Sequence, residues 1–410
     1  MNLTVSPVIL IAAFCVALTG VNLSFMVVAA LLPTLSEAWS LSETEAGWLG
    51  GVFFAGYIGT VPILSSLADR MDPKRIYLTS TLIGAAGSIG FAVFADNFWS
   101  GMFWRSFAGV GLAGTFMPGL KAMSDNLPQA MRSRAAGYYA SVFAVGSAIS
   151  FLVGGEAAAN WGWQWAFVIA GFGSLIAFGV VGLVLPPNPP TEHRETASRM
   201  FDFRPVFANR MAMAYVLSNF GVFFEAVGLR TWVVPYLAFL QARPGEEPAF
   251  FSPTTIASAI ALLGVGGAVA MSELGERFNL RRVLMGAAVA SVAFALLTGA
   301  AVGLAFWPVI LLLVICSWLN YGRVGPTTSG VMEHADPQLQ GATMGIFAFV
   351  GFSGGLIGPV AFGMALEFAG GSGDPGAWIW GFAAVALGAV ITLAALLLLA
   401  RRQSGPRGFS

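Results

Sequence analysis

Twelve long apolar runs follow one another through the chain, at about 7–33, 46–66, 76–95, 98–122, 135–155, 163–185, 208–239, 254–271, 283–303, 305–331, 342–366 and 377–400. A helix needs roughly 20 apolar residues to cross a hydrocarbon core. None of the runs shows the short polar–apolar alternation of a membrane barrel strand. In lipid every backbone polar group must be paired internally, which leaves helices as the one solution here. The runs therefore predict an all-α integral membrane protein with twelve transmembrane helices, called spans 1–12 below. Charge agrees: 10% of residues are charged, against roughly 25% in an average soluble chain. Disorder is excluded by the hydrophobicity. Nucleic-acid binding is disfavoured by a net charge of zero with no basic run. The start, MNLTVSP, lacks a basic region, so span 1 is expected to be retained rather than cleaved.

The longest polar stretch, 186–210, is rich in proline and charge. It divides the spans six and six. The expected organisation is a first six-helix half (1–186), a linker (187–207), a second six-helix half (208–400) and a tail (401–410). Basic residues set the orientation. The side holding the linker and both termini carries fifteen basic and ten acidic residues, the opposite side one basic (Arg243) and nine acidic. The linker side is thus expected to be cytoplasmic. Eighteen arginines against two lysines, with abundant alanine and glycine, suggest a bacterial source and hence the bacterial plasma membrane.

Cys15 and Cys316 lie in apolar runs and suggest neither a disulfide framework nor a zinc site. His193 and His334 fall in polar segments and read as solvated loop residues. Gly109, Gly111 and Gly114 form a G-x-G-x-x-G, but without the strand–turn–helix context of a dinucleotide site. No phosphate-binding G-x-x-x-x-G-K-[ST] occurs. No cofactor, metal or enzymatic activity is expected, and ATP is not the expected driving force.

The sequence repeats itself. Leu67-Ala68-Asp69-Arg70-Met71-Asp72-Pro73-Lys74-Arg75 aligns with Leu274-Gly275-Glu276-Arg277-Phe278-Asn279-Leu280-Arg281-Arg282 at an offset of 207. Equal spacing and orientation predict two halves related by an axis along the membrane normal. These residues resemble the major facilitator superfamily, whose loop 2–3 signature is G-x-L-A-D-R-x-G-R-K-R. The chain keeps Leu67 to Arg70 and Lys74-Arg75, but has Ser65, Asp72 and Pro73 where the family differs. The span 4 signature R-x-x-x-G-x-G is present as Arg105, Gly109 and Gly111. Span 5 lacks the glycine–proline pair of the drug exporters, whereas span 11 has Gly358-Pro359. The resemblance implies a secondary transporter working by alternating access. It also implies gating roles for Asp69 and Arg70, and for their repeats Glu276 and Arg277, with Asp69 latching the cytoplasmic side. Lys74 and Arg75 are read as topology determinants.

Five ionisable residues lie within spans: Arg105, Lys121, Glu225, Arg230 and Arg323. Charges are expensive there and mark functional sites by default. Lys121 can snorkel to the span end and meet Asp125 one turn on. In the family, spans 1, 4, 7 and 10 line the central cavity. By that resemblance Arg105, Arg230 and Arg323 converge there, joined by Asn22, Asn320 and Tyr321. Arginine offers a planar fork matched to a carboxylate or phosphate. The expected substrate is therefore a small anionic solute, carried with proton or anion coupling by symport or antiport. The bland alternative is that these arginines are structural. Glu225 is the mid-span carboxylate and the candidate proton carrier. Apolar surroundings favour a neutral carboxyl and an adjacent guanidinium favours its anion. Pro235 is read as a bend in span 7. Gly351, Gly355, Pro359 and Gly363 recur every four residues in span 11, and glycine at that spacing suits close helix packing.

The competing expectations are efflux of neutral or hydrophobic compounds on the same fold, and a transport-inactive membrane sensor. The expected partners are the solute and the lipid bilayer, with no nucleic acid, and the chain is read as a monomer.

Overall fold

The computed structural model describes residues 6–67, 71–186, 204–243, 250–337 and 339–399. Span 1 is two helices, α1 (Pro7–Asn22) and α2 (Val27–Trp39). Spans 2 and 3 are α3 (Glu43–Leu67) and α4 (Pro73–Phe94). Span 4 is α5 (Phe98–Thr115) and α6 (Met117–Asp125). Spans 5 and 6 are α7 (Gln129–Trp161) and α8 (Trp163–Val184). A short α9 (Arg204–Ala208) ends the expected linker. Spans 7 to 12 follow as α10 (Arg210–Gln241), α11 (Pro253–Arg277), α12 (Leu280–Ala300), α13 (Phe306–His334), α14 (Gln340–Phe368) and α15 (Trp378–Leu398).

Among the described residues, eleven helices are long and apolar enough to cross a membrane. Span 4 falls below that level because α5 carries Arg105 and four glycines. It is helical nonetheless over 98–125, with one interruption at Phe116. Pro118, two residues on, cannot donate to the carbonyl of Gly114. The Tyr139 hydroxyl donates to the Thr115 carbonyl beside the interruption at 2.9 Å.

Local chemistry sets the helix ends. Asn97 and Ser100 form a reciprocal capping box at α5. Asp72, Asn209, Ser252 and Asn279 each cap the helix that follows. Lys74 does more than mark topology. Its ammonium donates to the Gly182 carbonyl at 2.8 Å and to Leu185, closing the C-terminus of α8. Lys121 pairs with Asp125 at 3.2 Å, as its position suggested. His334 departs from expectation. It ends α13, half-buried, with its ring stacked on Tyr215 at 5.4 Å.

The glycines act where backbones touch. A side chain at Gly109 would strike the Phe53 carbonyl, and one at Gly358 would strike that of Phe224. Substitution at either position must push two helices apart.

Helices before and after the linker meet along α3 with α14, α7 with α11 and α2 with α10. The contacts are concentrated on the side opposite the linker. Glu43 accepts from the Ser372 amide at 2.8 Å, and Glu367 accepts from the Thr44 amide at 2.9 Å. Deeper, Ser258 donates to Ala148 at 2.8 Å, and Tyr57 packs on Phe352 at 4.4 Å. Towards the linker side the seam opens. Ile63 of α3 is 65% exposed, and Gly59 and Gly345 have no neighbour where a side chain would stand. Among the described residues, the molecule is closed on the far side and parted on the linker side.

Candidate solute and coupling site

Span 1 loses helical structure at residues 23–26 without a proline or glycine to break it. Side chains from three other spans hold it open. The Arg105 guanidinium donates to the Ser24 carbonyl and, at 2.6 Å, to that of Phe25. The Ser150 hydroxyl donates to Leu23 at 2.6 Å and accepts from the Met26 amide at 3.0 Å. Ser88 bonds Ser24 at 2.9 Å. Unwound backbone is tolerated at membrane depth only when its polar groups are satisfied in this way. Arg105 is 3% exposed and lies over the Phe53 ring at 4.4 Å. It holds α1, α2, α3 and α5 together and turns no face to a solute in this conformation.

The second buried arginine is paired differently. Arg323 and Glu225 are 0% and 1% exposed and meet at 2.5 Å. Ser291 donates to the other carboxylate oxygen and accepts from Arg323 at 3.2 Å. Arg323 also donates to Leu319 at 3.2 Å. Its remaining terminal nitrogen has no partner, nor does the hydroxyl of Thr327 one turn further on. Glu225 thus bonds across to α13 rather than to Arg230 on its own helix. Residues five apart on a helix point about 140° apart, so the cross-helix partner wins.

Arg230 is the third. It is half-buried and stacks over the Tyr321 ring at 4.1 Å. Among the described residues it has no carboxylate partner. It lines a cavity of about 40 Å³ with Phe151, Ile260, Cys316, Ser317 and Asn320. The Tyr321 hydroxyl and the Asn320 carbonyl oxygen are buried without partners. Asn320 is anchored by its amide nitrogen to Val222 at 3.2 Å. Asn22 is anchored likewise to Phe143 at 3.3 Å, with its own oxygen unpartnered.

The three guanidiniums therefore occupy three separate environments. Arg230, Asn320 and Tyr321 come together. Glu225 and Arg323 form a neighbouring pair, while Arg105 and Asn22 secure span 1 to spans 4 and 5. Of the gating set, Asp69 and Arg70 lie outside the described residues. Glu276 is exposed and makes no ion pair among the described residues, and Arg277 approaches Glu273 at 3.9 Å on the exposed surface. Sequence inspection missed Ser291, Ser150 and Asn219. Asn219 donates to Phe347 at 3.0 Å, the counterpart in α10 of the Asn22 bond in α1. A lone asparagine in an apolar run was a legible signal. The serines were not, because serine is common in membrane helices.

A membrane bundle of this size, sealed on one face and parted on the other, with charges buried between, belongs to the alternating-access solute carriers. Residues 10–359 match the Major Facilitator Superfamily. The chain belongs to that superfamily and is a membrane transporter, not an enzyme. It is 27% identical over 375 residues to the gentisate transporter of Corynebacterium glutamicum, covering 88% of this chain and 81% of that protein. It is also 27% identical over 375 residues to the 3-(3-hydroxy-phenyl)propionate transporter of Escherichia coli, covering 90% and 88%. Identity to a niacin transporter of Acinetobacter baylyi is 23% over 369 residues, covering 82% and 81%. The fold is similar to the crystal structure of a bacterial homologue of the human lysosomal transporter Spinster. The TM-score is 0.77 at 19% identity, covering 98% of this chain and 96% of that one.

Proposed function

We propose that the chain carries a small aromatic carboxylate across a bacterial plasma membrane as a monomer, with proton movement at Glu225. The observation that supports this most is Arg230, a guanidinium at membrane depth with an aromatic platform beneath it and no carboxylate partner among the described residues. Leaving such a charge unpaired is costly, and an anionic solute completes it. Gentisate and hydroxyphenylpropionate, which name two of the relatives, are ring acids. The arrangement suits that chemistry. Arg230 takes the carboxylate, Asn320 and Tyr321 take ring hydroxyls, and Phe151 and Ile260 take the ring.

At about 40 Å³ the cavity admits water but not a solute. Binding must widen it. A solute that prefers the widened form shifts the population of conformations by that preference. With the linker side cytoplasmic by its charge, the described conformation faces inward. The Glu225–Arg323 pair supplies the coupling. Protonation of Glu225 would release Arg323, so the two proton states favour different packings of α10 against α13.

The test is thermal unfolding of the purified chain with 2,5-dihydroxybenzoate and with its neutral amide, for the parent, Arg230→Gln and Arg230→Lys. Stabilisation by the acid but not the amide is expected, lost in Arg230→Gln and partly kept in Arg230→Lys. Equal stabilisation by acid and amide, unchanged in Arg230→Gln, would overturn the assignment.

A further inference from the structure

A second polar cavity lies at the linker-side ends of α10, α12 and α13, apart from the site above. It has a volume of about 690 Å³ and is lined by Tyr215, Asn279, Arg281, Arg282, Glu333 and His334, with apolar residues between. Its volume exceeds that of the Arg230 cavity many times over. Arg281 and Arg282 make no ion pair among the described residues, although Glu333 lines the same space. The Nε of Arg281 is buried and has no hydrogen-bond partner. Tyr215 is 2% exposed, its ring pinned between His334 and Gly330. Its hydroxyl finds no partner among the described residues. His334 uses Nδ1 on the Gly330 carbonyl at 2.9 Å, which leaves Nε2 to act elsewhere.

The backbone adds to the donors. α12 begins at this cavity and is 21 residues long. Asn279 satisfies the amide of Arg282 by its side chain and that of Val283 by its carbonyl. The amides of Leu280 and Arg281 remain unpaired by the helix. The space is thus walled by two guanidinium forks, a fixed phenol and the positive end of a long helix, against one exposed carboxylate. Such a donor set fits a tetrahedral oxyanion better than a planar neutral group.

We propose that this cavity binds a phosphate ester, supplied either by an anionic phospholipid headgroup or by a soluble phosphate monoester. A ligand there would tie the start of α12 to the ends of α10 and α13. All three belong to the part of the chain after the linker. The ligand would brace those helices while the seam between the two parts opens and closes, and it takes no part in solute recognition.

The test uses the full chain in detergent micelles with three probes: phosphatidylglycerol, phosphatidylcholine and glycerol 3-phosphate. Thermal unfolding and native mass spectrometry read occupancy. In the parent, phosphatidylglycerol raises the unfolding temperature and is retained as an adduct, while phosphatidylcholine does neither. Arg281→Gln combined with Arg282→Gln weakens binding at least about tenfold, as loss of charge-assisted bonds requires. Tyr215→Phe weakens it less. Should the double variant unfold, Arg281→Lys serves instead, because it keeps the charge and loses the fork. Binding of glycerol 3-phosphate as well identifies a soluble ester as the source, and its absence identifies the lipid; either outcome supports the site. No shift with any probe, or equal shifts in parent and variants, overturns it. Because the probes carry no aromatic acid, failure here leaves the assignment at Arg230 untouched.

Discussion

Arg105 and Arg323 are both almost fully buried, yet they are held by opposite chemistry. Arg105 gives its bonds to two backbone carbonyls in the break of span 1. Arg323 gives its bonds to a carboxylate, a serine and one carbonyl. Backbone carbonyls cannot change charge, so the first arrangement is a fixed clamp. The second arrangement contains a carboxylate, and the coupling proposed at Glu225 rests on it. On that proposal, the part of the chain before the linker holds its shape around a buried cation, and the part after it changes.

The largest expected effect breaks the second arrangement. Arg323→Met should destabilise the protein by about 3–5 kcal/mol, because Glu225 is left buried and unpaired. Glu225→Gln combined with Arg323→Met should recover most of that loss. Denaturant unfolding of the purified variants measures both. If the double variant were no better than the single one, the pair would not be the source of the cost. The same comparison separates coupling from transport: Glu225→Gln should retain solute exchange and lose accumulation driven by a proton gradient.

Next in size is the clamp. Arg105→Met strands two carbonyls, at about 1–3 kcal/mol each. No change at a carboxylate should restore it, in contrast to Arg323. Ser150→Ala, which removes one support of the same break, should cost about 1 kcal/mol. A carboxylate variant that rescued Arg105→Met would end the distinction between the two arginines.

The smallest effect on stability belongs to the far-side seam, where Glu43 and Glu367 accept from amides across it. Glu43→Gln with Glu367→Gln should change stability by less than about 1 kcal/mol, since both bonds lie near the surface. It should instead raise the fraction open on the far side. Labelling of a cysteine introduced at Val233, which lines the Arg230 cavity, by an impermeant reagent reads that fraction. Unchanged labelling would show that the apolar contacts below hold the seam without these carboxylates.

Much of the fold was legible. Lipid leaves the backbone one local solution, so each apolar run declares its own helix. The exception is instructive: 98–125 is the least apolar span because Arg105 is needed inside. The break in span 1 was invisible, because nothing within residues 23–26 causes it. Its causes lie 64 to 127 residues away, at Ser88, Arg105 and Ser150. Glu225, Arg230 and Arg323 stood out singly as charges in apolar runs, but their partners did not. Helical geometry told against a Glu225–Arg230 pair, and no rule of spacing selects Arg323 and Ser291 from other helices.

By itself, then, the sequence determined that the chain is a helical membrane protein, where most helices lie, and which charges must be explained. Those properties follow from transfer free energies, which act residue by residue and need no knowledge of neighbours. The tertiary structure alone decided which arginine is bonded to backbone carbonyls, which is paired with a carboxylate and which has no carboxylate partner among the described residues. A charge at membrane depth takes its role from the groups within a few ångströms of it, and those groups come from distant parts of the chain.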